Sequence, residues 1–189
     1  MGAAGADWLE RSERMREEQP EKALDLIGIQ PGMTVADVGA GTGYMTLRIA
    51  RRVGPTGKVY ANDIQPVMLE RLTENARKAD LTNIETVLGS EGDPKLPAGS
   101  IDLVVMVDVY HELSEPQDML DNIRKSLKPN GRLALVEYKK EDPAIPIRAD
   151  HKMTLADIKT EVEAEGYKLD KVIDTLPRQH IVIFKKLTM

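Results

Sequence analysis

The run Val35-Ala36-Asp37-Val38-Gly39-Ala40-Gly41-Thr42-Gly43-Tyr44 joins a short apolar stretch to a turn of three alternating glycines. Its first residues favour an extended chain, and the acid Asp37 sits inside them. Glycine carries no Cβ, so it permits positive φ and lets a ligand lie against bare backbone. A helix beginning near Gly43 would point its unpaired N–H groups back at the same place. The spacing separates two kinds of ligand. The dinucleotide fingerprint needs G-x-G-x-x-G, with the pyrophosphate on the helix N-terminus. Here the pattern is G-x-G-x-G, and Tyr44 stands where that fingerprint has its third glycine. Asp37, two residues before the first glycine, would repel a pyrophosphate and welcome a cationic amino-acid end.

Outward from this turn the chain alternates strands and helices. Thr34 to Val38 reads as a first strand, and its near-continuous apolar character suits burial on both faces of a parallel sheet. Gly57 to Asp63 reads as the second, ending on an acid 26 residues after Asp37. An acid at the tip of strand two is placed to accept hydrogen bonds from ribose hydroxyls. A competing role for Asp63 is to cap the helix opening at Pro66. Ile84 to Leu88, Ile101 to Val107 and Arg132 to Glu137 follow as strands, the last after a Lys128-Pro129-Asn130-Gly131 break. Asp93-Pro94 and Pro97-Ala98-Gly99 leave little room for a helix between strands three and four. Ser114-Glu115-Pro116-Gln117 reads as a capping box. The polar, proline-bearing stretch Tyr138 to Lys152 is long for an internal loop, and such loops are often functional. A last helix capped by Thr154 and a strand pair, Tyr167 to Thr175 and Gln179 to Lys185, close the chain. Such alternation predicts an α/β, doubly wound sheet.

Composition narrows the function. At 189 residues one main domain is expected, with residues 1–19 as an N-terminal helical arm and 20–189 as the domain. The arm carries Trp8, the single tryptophan, and a lid over the pocket is one reading of it. A net charge of −5 argues against non-specific binding to a polyanion, so no nucleic-acid partner is expected. Cysteine is absent, which excludes disulfides, thiolate metal sites and cysteine nucleophiles from these residues. No segment approaches membrane-spanning length, and a cytoplasmic protein without membrane partners, monomeric or homodimeric, is expected.

Together, D-x-G-x-G-x-G ending a first strand, Asp63, the fourth strand before Asp108, and Leu127-Lys128-Pro129-Asn130-Gly131 resemble the class I S-adenosylmethionine methyltransferases. The resemblance is greatest to the small methyltransferase type 11 or UbiE-like group, and covers roughly residues 20 to 185. It implies a three-layer αβα Rossmann-like sheet of seven strands in order 3-2-1-4-5-7-6, with strand 7 antiparallel. It implies S-adenosylmethionine as cofactor and S-adenosylhomocysteine as product. It also implies cofactor contacts at Asp37, Gly39, Ala40 and Gly41, at Asp63, Ile64 and Met68, and at Glu91 and Asp108. Tyr44, Tyr110 and Tyr138 are expected around the substrate.

Methyl transfer from a sulfonium is an in-line displacement whose leaving group is neutral once expelled. The protein therefore chiefly orients the reactants and excludes water. A base is needed only where the acceptor must lose a proton, and a histidine suits that task. His111, just after the fourth strand, and His151, in the long loop, are the expected catalytic residues; His180 reads as structural. His111-Glu112 with Glu137 and His151 would offer metal ligands, but no regular spacing such as H-x-x-x-H is present, so no metal is expected. The acceptor is expected to be a small molecule. Cysteine-dependent C5 methylation of pyrimidines and cysteine-based arsenite methylation are set aside for want of a thiol. The [D/N/S]-P-P-[Y/F/W] signature of amino-methylating nucleic-acid enzymes is replaced by Asp108-Val109-Tyr110-His111. A non-catalytic protein of the same fold, binding the cofactor without methylating, is the alternative.

Overall fold

Seven strands form one sheet in the computed structural model, which describes residues 13–187. They are β1 (Thr34–Val38), β2 (Lys58–Asp63), β3 (Ile84–Leu88), β4 (Ile101–Val107), β5 (Leu127–Tyr138), β6 (Tyr167–Ile173) and β7 (Gln179–Lys186). The order is β3-β2-β1-β4-β5-β7-β6, as expected. β1 to β5 run parallel, and β7 is antiparallel to both β5 and β6. The helices are α1 (Arg14–Glu17), α2 (Pro20–Ile27), α3 (Thr46–Val53), α4 (Pro66–Lys78), α5 (Pro116–Ser126) and α6 (Leu155–Ala164). None is long and apolar enough to cross a membrane.

Side chains of a strand alternate between faces, so each strand feeds two cores. Val35, Val105 and Ile183 pack on one face against Leu24 and Ile27 of α2 and Ile49 and Val53 of α3. Ala36, Val104 and Val182 pack on the other against Leu120 and Ile123 of α5 and Ile158 and Val162 of α6. That division makes the three layers. No helix separates β3 from β4, in keeping with the prolines there.

Four local expectations need correction. β5 begins at Leu127, because Leu127 pairs with Ile101 and the chain then bulges until Arg132 pairs with Leu103. The Lys128–Gly131 segment is thus a bulge within a strand, not a break before one. α3 begins at Thr46, with turn residues between it and the last glycine. The capping box does not form: the N-cap of α5 is Glu115, one residue later, and the Ser114 hydroxyl donates to Glu91 instead. The strand pair is shifted at its ends, with β6 stopping at Ile173 and β7 reaching Lys186. Thr154 does cap α6, accepting from the Asp157 N–H at 3.0 Å. Of the expected arm, the described part forms α1; residues 1–12, with Trp8, lie outside the described residues.

Candidate active site

The carboxyl ends of the parallel strands open into a cleft of about 640 Å³, within the usual range for a small-molecule site. One wall is the glycine turn after β1 and the end of β2; the other is the segment Asp108–Ser114 after β4. Pro146, Ile147, Arg148 and His151 of the long loop close its rim. That loop is pinned by Lys152, whose ammonium donates to the carbonyls of Asp142 and Ile145.

Gly39, Gly41 and Gly43 all hold positive φ, at 77°, 55° and 95°. A Cβ on Gly39 would lie 2.4 Å from Val109 Cγ2, so the turn and the opposite wall approach to backbone distance. Four amides of the turn are already partnered. Gly39 and Ala40 both donate to the Asn62 carbonyl, Gly41 to Asp63 Oδ2, and Gly43 to the Ala40 carbonyl. The expected fan of free N–H groups is therefore absent at these four residues. A polyanion such as pyrophosphate would find little to bind there.

Two buried carboxylates flank the turn instead. Asp37 accepts from the Thr46 hydroxyl at 2.6 Å. Burial pushes its carboxyl up to about 6; the Thr46 bond and Arg14 work against that rise, and the charge of Asp63 adds to it. Asp63 accepts one N–H on each oxygen, Gly41 on Oδ2 and Gln65 on Oδ1, both at 2.9 Å. It therefore ties the turn to β2 and leads into α4, and each oxygen keeps a lone pair for a ligand hydroxyl. Beside it, Met68 is buried and Ile64 is half exposed, both on the cleft. Glu91 lines the same end.

Asp108 also lines the cleft, in a left-handed conformation at φ 55°. Its carboxylate accepts from the Gln179 amide at 2.8 and 3.0 Å. Burial, followed by the charges of Glu18 and Glu137, holds this carboxyl well above the ordinary range. Arg14 of α1 enters the cleft buried, pairs with Glu18 and lies 4.2 Å over the Tyr44 ring. Arg48 lies 4.0 Å from the same ring. The buried Tyr44 hydroxyl has no hydrogen-bond partner among the described residues. Tyr138 lines the cleft too, donating its hydroxyl to Glu18 at 2.8 Å.

The far wall carries the histidines. Glu137, fully buried at the end of β5, accepts from the backbone N–H of Val109 and Tyr110 through Oε1. Its Oε2 lies 2.6 Å from His111 Nδ1. His111 Nε2 lies 3.0 Å from His151 Nδ1, and Glu112 Oε1 faces both nitrogens at 3.8 and 3.5 Å. Burial lowers the His111 pKa, but the Glu137 bond and the charges of Glu137 and Glu112 outweigh it and raise the value overall.

Most of the expected site residues therefore meet in one cleft: Asp37, Gly39, Ala40, Gly41, Tyr44, Asp63, Ile64, Met68, Glu91, Asp108, His111, Tyr138 and His151. Tyr110 does not. Its ring packs into the core with Met119 and Leu120, and its hydroxyl donates to Glu161 at 3.1 Å. In the 3₁₀ turn Tyr110–Glu112, one residue turns inward as the next turns to the cleft. His180 lies against Glu141 and Asp174, away from the cleft lining. Of the basic residues near the loop, Lys139, Arg148 and Arg178 pair with Asp174, Asp150 and Glu17.

Sequence reasoning missed Arg14, Thr46 and Gln179 as partners of the acidic groups. Arg14 lies in the expected helical arm, where no single residue stands out, and Gln179 meets Asp108 only because β7 inserts beside β5. Thr46 was the most findable, one helical turn after the glycines.

A family model described as a methyltransferase domain matches residues 29–181. The arsenite methyltransferase of Halobacterium salinarum is 34% identical over 113 residues, 60% of this chain and 29% of that protein. The ubiquinone/menaquinone biosynthesis C-methyltransferase UbiE of Escherichia fergusonii is 32% identical over 118 residues, 62% of this chain and 47% of that protein. The matched part spans less than half of either relative. A crystal structure of a SAM dependent methyltransferase from Aquifex aeolicus superposes with a TM-score of 0.93 at 29% identity, covering 99% of this chain and 100% of its own.

Proposed function

This chain belongs to the methyltransferase-domain family, and from that membership we propose that it moves a methyl group from S-adenosylmethionine to a small-molecule acceptor. The observation that carries the reading is the pair Asp37 and Asp63, buried against a glycine turn four of whose amides are already partnered. A turn so arranged suits a ligand with ribose hydroxyls and a cationic end, and not a pyrophosphate.

In this reading the spare lone pairs of Asp63 would accept from the ribose hydroxyls. Ile64 and Met68 would hold the adenine, with Glu91 near it. Asp37 would face the ammonium group, with Asp108 nearby. Arg14, the cation on the same wall, meets the carboxylate. The bound sulfonium supplies an activated methyl carbon. The acceptor's nucleophilic atom forms the new bond to that carbon as the carbon–sulfur bond breaks, and the electron pair stays on sulfur. The protein's task is to align the atoms and keep water out. His111 and His151 face the acceptor side, with Glu137 fixing the His111 ring. With no cysteine, the chain has no thiolate for a soft acceptor such as trivalent arsenic, so an oxygen, nitrogen or carbon acceptor fits better.

The test is binding of S-adenosylhomocysteine by calorimetry, followed by transfer of labelled methyl to a panel of small acceptors. Gly41→Arg and Asp63→Ala are expected to abolish binding. His111→Ala and His151→Ala are expected to keep binding and lose transfer. Unchanged binding in both cofactor-side variants would refute the reading.

A further inference from the structure

We propose that His111, Glu112 and His151 form a site for one divalent transition-metal ion, which holds the acceptor's oxygen as a further ligand. The inference rests on the methyl-transfer reading for the acceptor's identity, and on geometry alone for the ion.

His111 Nε2, His151 Nδ1 and Glu112 Oε1 make a triangle with sides of 3.0, 3.5 and 3.8 Å. The point equidistant from its corners lies about 2 Å from each, matching zinc–nitrogen and zinc–oxygen bonds of about 2.0–2.2 Å. These three residues alone, among those described, are grouped closely enough to share an ion. Two imidazoles and one carboxylate, with the remaining positions open, is a set suited to zinc and its first-row neighbours and not to magnesium. All three line the cleft, so the open positions face the cofactor side.

The outer contacts fit equally well. A ligating histidine commonly donates its other ring N–H to a carboxylate, which fixes the tautomer. Glu137 Oε2 stands 2.6 Å from His111 Nδ1 and supplies that partner. With His111 Nδ1 protonated toward Glu137, its Nε2 lone pair points at His151 and Glu112. Glu112 and Glu137 carry two negative charges beside two imidazoles, a balance that a dication would neutralise. Without an ion, a single proton must bridge the two histidine nitrogens. Regular spacing failed to signal this site because the ligands come from two segments 40 residues apart, the turn after β4 and the loop before α6.

In catalysis, an acceptor hydroxyl would lose its proton to water as its oxygen joins the ion. The resulting oxyanion attacks the methyl carbon, and the carbon–sulfur pair leaves on sulfur, giving the neutral thioether.

The experiment strips the purified full chain with chelator. Zn²⁺ is then titrated by calorimetry and Co²⁺ by visible absorption. One equivalent is expected to bind, with a ligand-field spectrum from Co²⁺. Glu112→Gln and His151→Asn should each weaken it by more than about tenfold. Glu137→Gln should weaken it by about 10–100-fold, since the amide would turn the His111 tautomer and occupy Nε2 with a proton. Asp150→Asn, an acid close by but outside the triangle, should bind as the parent does. S-adenosylhomocysteine binding in chelator, measured on every variant, establishes that the cleft is folded. No stoichiometric uptake, or uptake that survives both ligand variants, would overturn the proposal. Failure of the chelated parent to bind S-adenosylhomocysteine would count against the methyl-transfer reading alone, because the ion is read directly.

Discussion

Asp37 shows how one residue sets stability against binding. Burial raises its carboxyl from 3.8 to about 6, so the folded chain holds that proton more tightly than the unfolded one. Its stabilising contribution is complete below the unfolded value of 3.8 and is lost as pH rises through about 6. Above that, the ionised group costs the free protein about 3 kcal/mol. Asp37→Asn should therefore raise the Tm of the ligand-free protein at pH 7.5 and have little effect near pH 4, as thermal denaturation at the two values would show. The same variant should bind S-adenosylmethionine at least about tenfold more weakly, having no charge for the ammonium group. The parent's affinity should fall as pH drops through about 6, for the same reason. Tyr110 tests the correction on the other wall. With its ring in the core and its hydroxyl on Glu161, Tyr110→Phe should leave KM unchanged and cost no more than about 1 kcal/mol of stability.

At the scale of elements, the glycine turn and α1 decide whether the cleft exists. Gly39→Ala would put a methyl group at φ 77° and 2.4 Å from Val109 Cγ2. A loss of about 1–3 kcal/mol is expected, together with cofactor binding. Adding Val109→Ala should recover part of it by removing the clash and leaving the strain; chemical denaturation of the single and double variants measures the difference. Removing residues 1–19 should keep the sheet intact by circular dichroism and weaken cofactor binding, because Arg14 leaves the cleft with α1. These elements were unequally legible. β1, its glycine turn and the acid ending β2 could be read from residue type and order alone, since a local pattern specifies them. The start of β5 could not, because Leu127 belongs to the strand only through its pairing with Ile101. The cap of α5 was misplaced by one residue, which is enough to send Ser114 to Glu91.

Across the whole molecule, the alternation of strands and helices specified a doubly wound sheet, and its seven-strand order followed from the resemblance. What composition and spacing did not reveal was the pairing of distant charges. Glu137 meets His111 because β5 lies beside β4, and His151 joins them because the loop before α6 folds back over the cleft. Contacts of this kind leave no periodic mark in a sequence. In the proposed function they are what gives the cleft its acceptor side. The central claim is that this cleft binds an adenosyl ligand with a cationic end, and the most direct measurement is calorimetric titration of the chain with S-adenosylhomocysteine and, separately, NAD. The account predicts stoichiometric S-adenosylhomocysteine binding that weakens below pH 6, with no heat from NAD. Binding of NAD, or no binding of S-adenosylhomocysteine, would contradict it.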